Sequence, residues 1–187
     1  LDDERVMWEG CINEKTAKVT WKSDKFLAEG KSYTEVNFGC FEGMFIHRSV
    51  VGEIGFPDPR FFLVNDDLVY GLLASRYTKV IYIKEVGLIK KIRKERYSHL
   101  LGKKISRLNH FTLYLNMRNH FLLMEYLKSL GASSYVLFFF YSLKVLKELM
   151  EALFVDRSLD SIKSISLGVW DGLTANYKGH MRYLKNR

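Results

Sequence analysis

A chain of 187 residues that is 48% hydrophobic suits one domain, or one domain with a helical appendage, and excludes a mostly disordered protein. The formal net charge of +8 is unevenly placed: between Arg76 and Lys128 thirteen Lys or Arg stand against three Glu, a field that attracts nucleotide, nucleic-acid or lipid phosphates. The two cysteines, Cys11 and Cys40, have no metal-ligand spacing and read as reduced thiols of a cytosolic protein, which excludes a disulfide scaffold.

The chain opens on Leu1 and is expected to be the later part of a longer protein. Residues 1–37 read as loops and short strands, with strand-like composition at Val6-Met7-Trp8 and at Ala17 to Trp21. The acidic run Asp2-Asp3-Glu4 reads as a solvated end rather than a metal site. The apolar run Phe38 to Arg48 carries two glycines, a sign of close approach by backbone or ligand. Ser49 to Gly55 predicts a short helix ended by Gly55.

Gly55, Pro57 and Pro59 then make a bend, followed by the apolar Phe61 to Val64 and by Asn65-Asp66-Asp67. Asn65 or Asp66 is placed to cap a helix running from Leu68 to Arg76, because their side chains accept its first free amides. Two adjacent carboxylates repel each other, so one can be held ionised while the other is raised in pKa, as a general base requires. Thr78 to Ile83 predicts a strand, and Val86 to Lys90 a second short apolar piece. From Ile105 the period turns helical, with Ile105, Leu108, Phe111, Leu115, Leu122 and Tyr126 on one broad face. Ser133 to Val155 predicts a second helix: an aromatic run from Tyr135 to Tyr141, then Leu146, Leu149, Met150 and Leu153 opposite Lys144, Lys147, Glu148 and Glu151. A third runs from Ser158 to Trp170, ahead of Asp171-Gly172-Leu173 and a basic tail. The five histidines show no ligand spacing and read as surface or satisfied core residues.

Several of these stretches, in this order, resemble the family 2 glycosyltransferases, in particular the bacterial rhamnosyltransferase-like and galactofuranosyltransferase-like members. Phe41-Glu42-Gly43-Met44-Phe45-Ile46 is similar to the family's Phe-x-Gly-hydrophobic strand on the acceptor side of the cleft. Ile54-Gly55-Phe56-Pro57, Phe61-Phe62 and Asn65-Asp66-Asp67-Leu68-Val69-Tyr70 resemble its Ile-Gly-Leu-Pro, Phe-Phe and Asp-Asp-x-Glu-Tyr segment. Tyr114-Leu115-Asn116-Met117-Arg118-Asn119 resembles its Tyr-x-x-x-Arg-Asn helix, and Gly168 to Leu173 its late Gly-x-x-Asp-Gly-Leu.

The resemblance implies an α/β chain: the acceptor-side half of a GT-A nucleotide-diphospho-sugar transferase over residues 1–104, followed by an α-helical extension over 105–187. It implies inverting transfer of a sugar from a nucleotide-sugar donor to a glycan or lipid-linked acceptor in cell-surface polysaccharide synthesis. Asp67 would be the base, Asp66 would position it or the acceptor, and Phe41, Gly43 and Met44 would line the acceptor site. Where the family has a metal-binding His this chain has Lys90, which could neutralise the leaving diphosphate, and where the family has Glu it has Val69. The donor-binding half with its Asp-x-Asp motif is not among these residues, so Mg or Mn is expected on that half, with no ligand from this chain. The chain alone is expected to be inactive. The expected location is the cytoplasmic face of the plasma membrane, attached peripherally, with oligomers allowed and no nucleic-acid partner. The competing reading is a non-catalytic basic module that binds an anionic membrane surface or nucleic acid, with Tyr97, Phe111 and Tyr114 available to stack on bases.

Overall fold

The structure, a computed structural model, describes residues 10–21, 30–83, 85, 97–100, 103–106 and 109–184, with backbone alone for 97–100, 103–106 and 184. It is a mixed α/β chain in two compact units: Leu1–Asp58 with Asp66–Lys90, and Pro59–Asn65 with Lys91–Arg187.

In the first unit, β1 (Gly10–Ile12) and β2 (Val19–Trp21) form an antiparallel hairpin. Its turn is held by Asn13, whose side-chain oxygen accepts from the amides of Lys15 and Thr16. β3 (Tyr33–Val36) pairs antiparallel with β4 (Val80–Ile83), Tyr33 opposite Ile83 and Val36 opposite Val80. The strand expected at 78–83 is therefore present, and so is the one ending at Trp21. Helix α1 (Arg48–Ile54) is capped by His47, whose Nδ1 accepts from the Ser49 amide, and ends where Gly55 takes φ 75°. Helix α2 (Asp66–Ala74) buries Leu68, Val69, Tyr70 and Leu72. It approaches the backbone at Phe38 so closely that a Cβ on Gly71 would stand 2.7 Å from the Phe38 Cα. Phe41 to Ile46 is not the strand that the resemblance implies. Gly43 at φ 89° and the Met44 amide donating to Phe41 O turn the chain back on itself, and no ladder forms.

The second unit carries the hairpin β5 (Tyr97–Leu100) and β6 (Lys103–Ser106), then α3 (His110–Ser129), α4 (Ser134–Met150), a π-helical turn (Glu151–Val155), α5 (Leu159–Leu173) and the short α6 (Met181–Leu184). Ile105 thus lies in a strand, and α3 starts five residues later. Asn109 sets the start, because its side-chain oxygen takes the Thr112 amide. The third helix runs past Trp170 to Leu173, so Asp171 and Gly172 are helical.

Two glycines one turn apart set the approach of α5 to α3. A Cβ on Gly168 would meet the Tyr114 carbonyl oxygen at 2.5 Å, and one on Gly172 would run into the Phe121 ring. Leu113, Met117, Ala152 and Ile165 form the core that this approach closes.

His120 on α3 is buried, its Nδ1 has no hydrogen-bond partner, and its ring stacks 4.9 Å from that of Tyr141. Burial, with the Lys144 charge adding to it, pushes its pKa down to about 3. Lys144 donates to Asn116 Oδ1 at 3.0 Å, and burial brings its own pKa down to about 8. Because the folded pKa of His120 lies below the unfolded value, the unfolded chain takes up the proton first on acidification. Stability is therefore full above the ordinary value of 6.5 and falls as the pH drops from there toward 3, by about 1.4 kcal/mol per pH unit. His120→Phe keeps the stack and removes the titration. Urea unfolding at several pH values between 7 and 3 should show a flatter profile for this variant; an unchanged slope would assign the acid sensitivity to another group.

Candidate functional site

The acidic pair sits in the first turn of α2, in the first unit. The Leu68 amide donates to Asp67 Oδ1 at 2.8 Å. Burial raises the Asp67 pKa above the usual carboxylate value; the Leu68 amide pulls it down, the Asp66 charge raises it further, and a hydrogen bond with the Cys40 side chain lowers it. The Cys40 thiol is itself pushed up, chiefly by burial, with the Asp67 charge adding to it. A raised thiol stays protonated at neutral pH, so it is the donor and the carboxylate the acceptor. One carboxylate of the pair is thus lifted, in the direction expected from two adjacent acids, but burial is the larger cause.

The sequence around Cys40 brings the expected acceptor residues to the same neighbourhood. Phe41 packs at a tilt on Tyr70 of α2, with ring centroids 5.6 Å apart, and the Tyr70 hydroxyl donates to Gly55 O at 3.0 Å. Gly43 and Met44 complete the turn that starts at Phe41. Phe41 and Gly43 are exposed and Met44 half-buried. This arrangement gives a half-buried carboxylate beside an exposed aromatic, suited to taking a proton from a hydroxyl seated on the ring. Val69, where the resembled family has Glu, is buried in the core and could not face such a ligand. Lys90 lies outside the described residues, as do Asp2-Asp3-Glu4. Among the described residues no three His, Cys, Asp or Glu side chains gather as metal ligands.

A second constellation lies wholly in the other unit. The Phe61 to Asn65 stretch is strained: Phe62, Val64 and Asn65 have φ of 63°, 71° and 69°, a region that costs a β-branched residue most. The Leu63 amide donates to Phe61 O at 2.7 Å, closing a γ-turn of the unfavourable hand. Arg118 and Asn119, fully buried on α3, hold this loop by its carbonyls. Arg118 Nη2 donates to Arg60 O and Phe61 O at 3.1 and 2.8 Å. Its Nη1 donates to Tyr177 O at 2.9 Å and meets His180 Nδ1 at 3.0 Å, and Nε donates to Asn119 Oδ1 at 2.8 Å. Four oxygen acceptors thus surround the guanidinium, with His180 Nδ1 in contact beside them, which is how a buried charge is tolerated. Asn119 Nδ2 donates to Phe61 O, Leu63 O and Val64 O at 3.0, 2.6 and 2.7 Å.

Tyr114, one turn before Arg118, donates its hydroxyl to Asp171 Oδ2 at 2.6 Å. Burial and this bond together raise its pKa. Asp171, 1% exposed, also accepts from Asn176 Nδ2 and Arg182 Nη2. The Tyr-x-x-x-Arg-Asn and Gly-x-x-Asp-Gly-Leu stretches and the Phe61-Phe62 loop are therefore tied together through the buried Phe61, Tyr114, Arg118, Asn119 and Asp171. Tyr114 is consequently shut away from any base it might have stacked on, and Phe111 packs against Tyr183 and Phe62. Tyr97 has no described side chain.

Sequence reasoning missed Cys40 as the partner of Asp67. Nothing marks it beyond its place next to Phe41. It also gave Arg118 and Asn119 no role, although a charged-amide pair inside an apolar helical stripe is the one available sign that the polar groups are buried against something. Of the thirteen cations between Arg76 and Lys128 only Arg76, Lys79, Arg118 and Lys128 have described side chains; Arg76 is bonded to Glu14, Lys79 to Glu35, and Arg118 is buried. No protein-family model, curated protein or solved structure matches the chain.

Proposed function

We propose that the chain is the acceptor-side part of an inverting glycosyltransferase of the family 2, GT-A kind, with Asp67 as the base that deprotonates the acceptor hydroxyl and Asp66 as its positioning neighbour. The observation that carries this reading is the raised, half-buried Asp67 next to Phe41 at the rigid start of α2. The hydroxyl would lie over Phe41, lose its proton to Asp67 and attack the anomeric carbon, while the nucleotide diphosphate leaves with its bonding pair. Lys90 would stand near that diphosphate, and a divalent ion would belong to the donor-binding half.

The pH dependence of transfer tests this assignment. A base works ionised, so the rate should rise with pH through a pKa above the ordinary 3.8. Asp66→Asn removes a charge that raises Asp67, and the acidic limb should move to lower pH. Cys40→Ala removes a bond that lowers it, and the limb should move higher. The readout is transfer of labelled sugar from a panel of nucleotide-diphospho-sugars by membranes carrying the intact protein. Limbs that stay put, or move together, would remove Asp67 from the reaction.

Attachment to the cytoplasmic membrane face is part of the same proposal. On α4, Leu137 and Tyr141 are buried, while Tyr135, Phe139, Leu143, Leu146 and Met150 form an exposed stripe, with Phe138 and Phe140 52% and 40% exposed beside it. No described helix is long and apolar enough to cross a bilayer, so the stripe suits a helix lying in the interface. The chain should co-sediment with phosphatidylglycerol vesicles at low salt and less at high salt. Replacing Phe138, Phe139 and Phe140 with Ser should weaken binding at both. Wild-type protein left in the supernatant at low salt would make the stripe a packing surface.

A further inference from the structure

At the far end of α2 from the acidic pair, still within the first unit, a cleft of about 540 Å³ opens between the Ser75 to Val80 turn, the end of β3 and the β1–β2 turn. α2 has nine residues, which puts about 13 Å of helix between the two places. The volume lies in the range of about 300–1,000 Å³ typical of small-molecule sites.

Its walls carry two ion pairs, Arg76 with Glu14 and Lys79 Nζ with Glu35 Oε1 at 2.7 Å. Two cations and two carboxylates cancel, so the lining offers many donors and acceptors but carries no net charge. A phosphate brought to either cation meets its carboxylate partner; a free ammonium meets the cation. A neutral ligand with adjacent hydroxyls meets no such penalty, because each ion pair presents a donor and an acceptor a few ångströms apart. Val36 and Val80 give apolar floor, and Tyr77 at the rim leaves 57% of its surface open. An open aromatic ring beside paired polar groups matches the two faces of a sugar ring, its C–H face and its hydroxyl edge. The frame is fixed: Asn37 accepts from the Ile12 amide at 2.8 Å and donates to Ile12 O at 3.0 Å, and Ser75 Oγ donates to Leu72 O at 2.7 Å.

We propose that this cleft is a saccharide-binding subsite that takes a neutral, hydroxyl-rich ring, with Tyr77 stacking on it and the Glu14–Arg76 and Glu35–Lys79 pairs holding its hydroxyls. It stands on its own residues, whether or not Asp67 is a base.

Saturation-transfer NMR on the full chain tests it, with maltotriose, cellotriose and chitotriose at millimolar concentration and inorganic phosphate followed by ³¹P line width. Saturation transfer to at least one trisaccharide is expected. Tyr77→Ala should lower it fivefold or more, and Asp67→Asn should leave it unchanged. Glu35→Gln frees Lys79 and should create phosphate broadening that the wild-type chain lacks. Transfer to none of the three sugars would overturn the proposal. So would transfer indifferent to Tyr77→Ala, phosphate binding by the wild-type chain, or transfer lost in Asp67→Asn, which would move the ligand to the acidic pair.

Discussion

Asp67→Asn in the intact protein is expected to keep the fold and lower sugar transfer about a hundredfold or more, the usual cost of losing a general base. The fold should survive because the amide oxygen of Asn can still accept from the Leu68 amide, the contact that Asp67 Oδ1 makes at the start of α2. What the substitution removes is the charge. An amide cannot take a proton from a hydroxyl, and the thiol of Cys40 would then face a neutral acceptor. Asp66→Asn should cost less, because Asp66 supports Asp67, through its charge and position, without taking the proton itself. Circular dichroism and urea midpoints of the two variants should match wild type within experimental spread, so that a fall in rate reports chemistry. Near-normal turnover of Asp67→Asn would sink the assignment.

How far the sequence could be read depends on what kind of signal each element carries. Helix α1 and its end were legible because Gly55 does there what only glycine does cheaply, taking φ 75°. β4 was legible from its β-branched and aromatic run. The start of α3 was not, because Ile105 falls in phase with the helical face of 108–126 by coincidence while sitting in the second strand of a hairpin. Periodicity cannot see a boundary; the Asn109 cap could have marked it. Phe41 to Ile46 was expected as a strand only because the resemblance implied one; the left-handed Gly43 turns it. At the candidate site the acidic pair was legible as a local pattern. The Cys40 contact was not, because it joins residues 27 apart in a chain whose cysteine has no spacing partner. The carbonyl-holding network of Arg118 and Asn119 was hidden because its acceptors are backbone atoms, which carry no residue signature.

That network should have the largest effect on stability. Arg118→Met fills a similar volume but supplies no donor. Arg60 O and Asn119 Oδ1 would lose the donor that Arg118 supplies inside unit two, while Phe61 O keeps Asn119 Nδ2 and the Leu63 amide and Tyr177 O keeps its contact with His180 Nδ1. Each buried acceptor left unpaired costs about 1–3 kcal/mol. The strained φ values of Phe62, Val64 and Asn65 would no longer be held against relaxation, which returns part of that cost. A net loss of about 3 kcal/mol or more is expected. Arg118→Lys should recover little of it, because one ammonium cannot reach acceptors spread around a planar fork. Asn119→Asp should be comparably damaging, since it sets a carboxylate against the Phe61, Leu63 and Val64 carbonyls that Nδ2 now serves. Urea unfolding followed by tyrosine fluorescence gives the midpoints, and an unchanged m-value would show that the native state alone has been weakened. If Arg118→Met unfolds at the wild-type midpoint, the loop is held by the packing of Phe61, which is buried and stacks with Tyr126 at 6.2 Å, and the guanidinium bonds contribute no net stability.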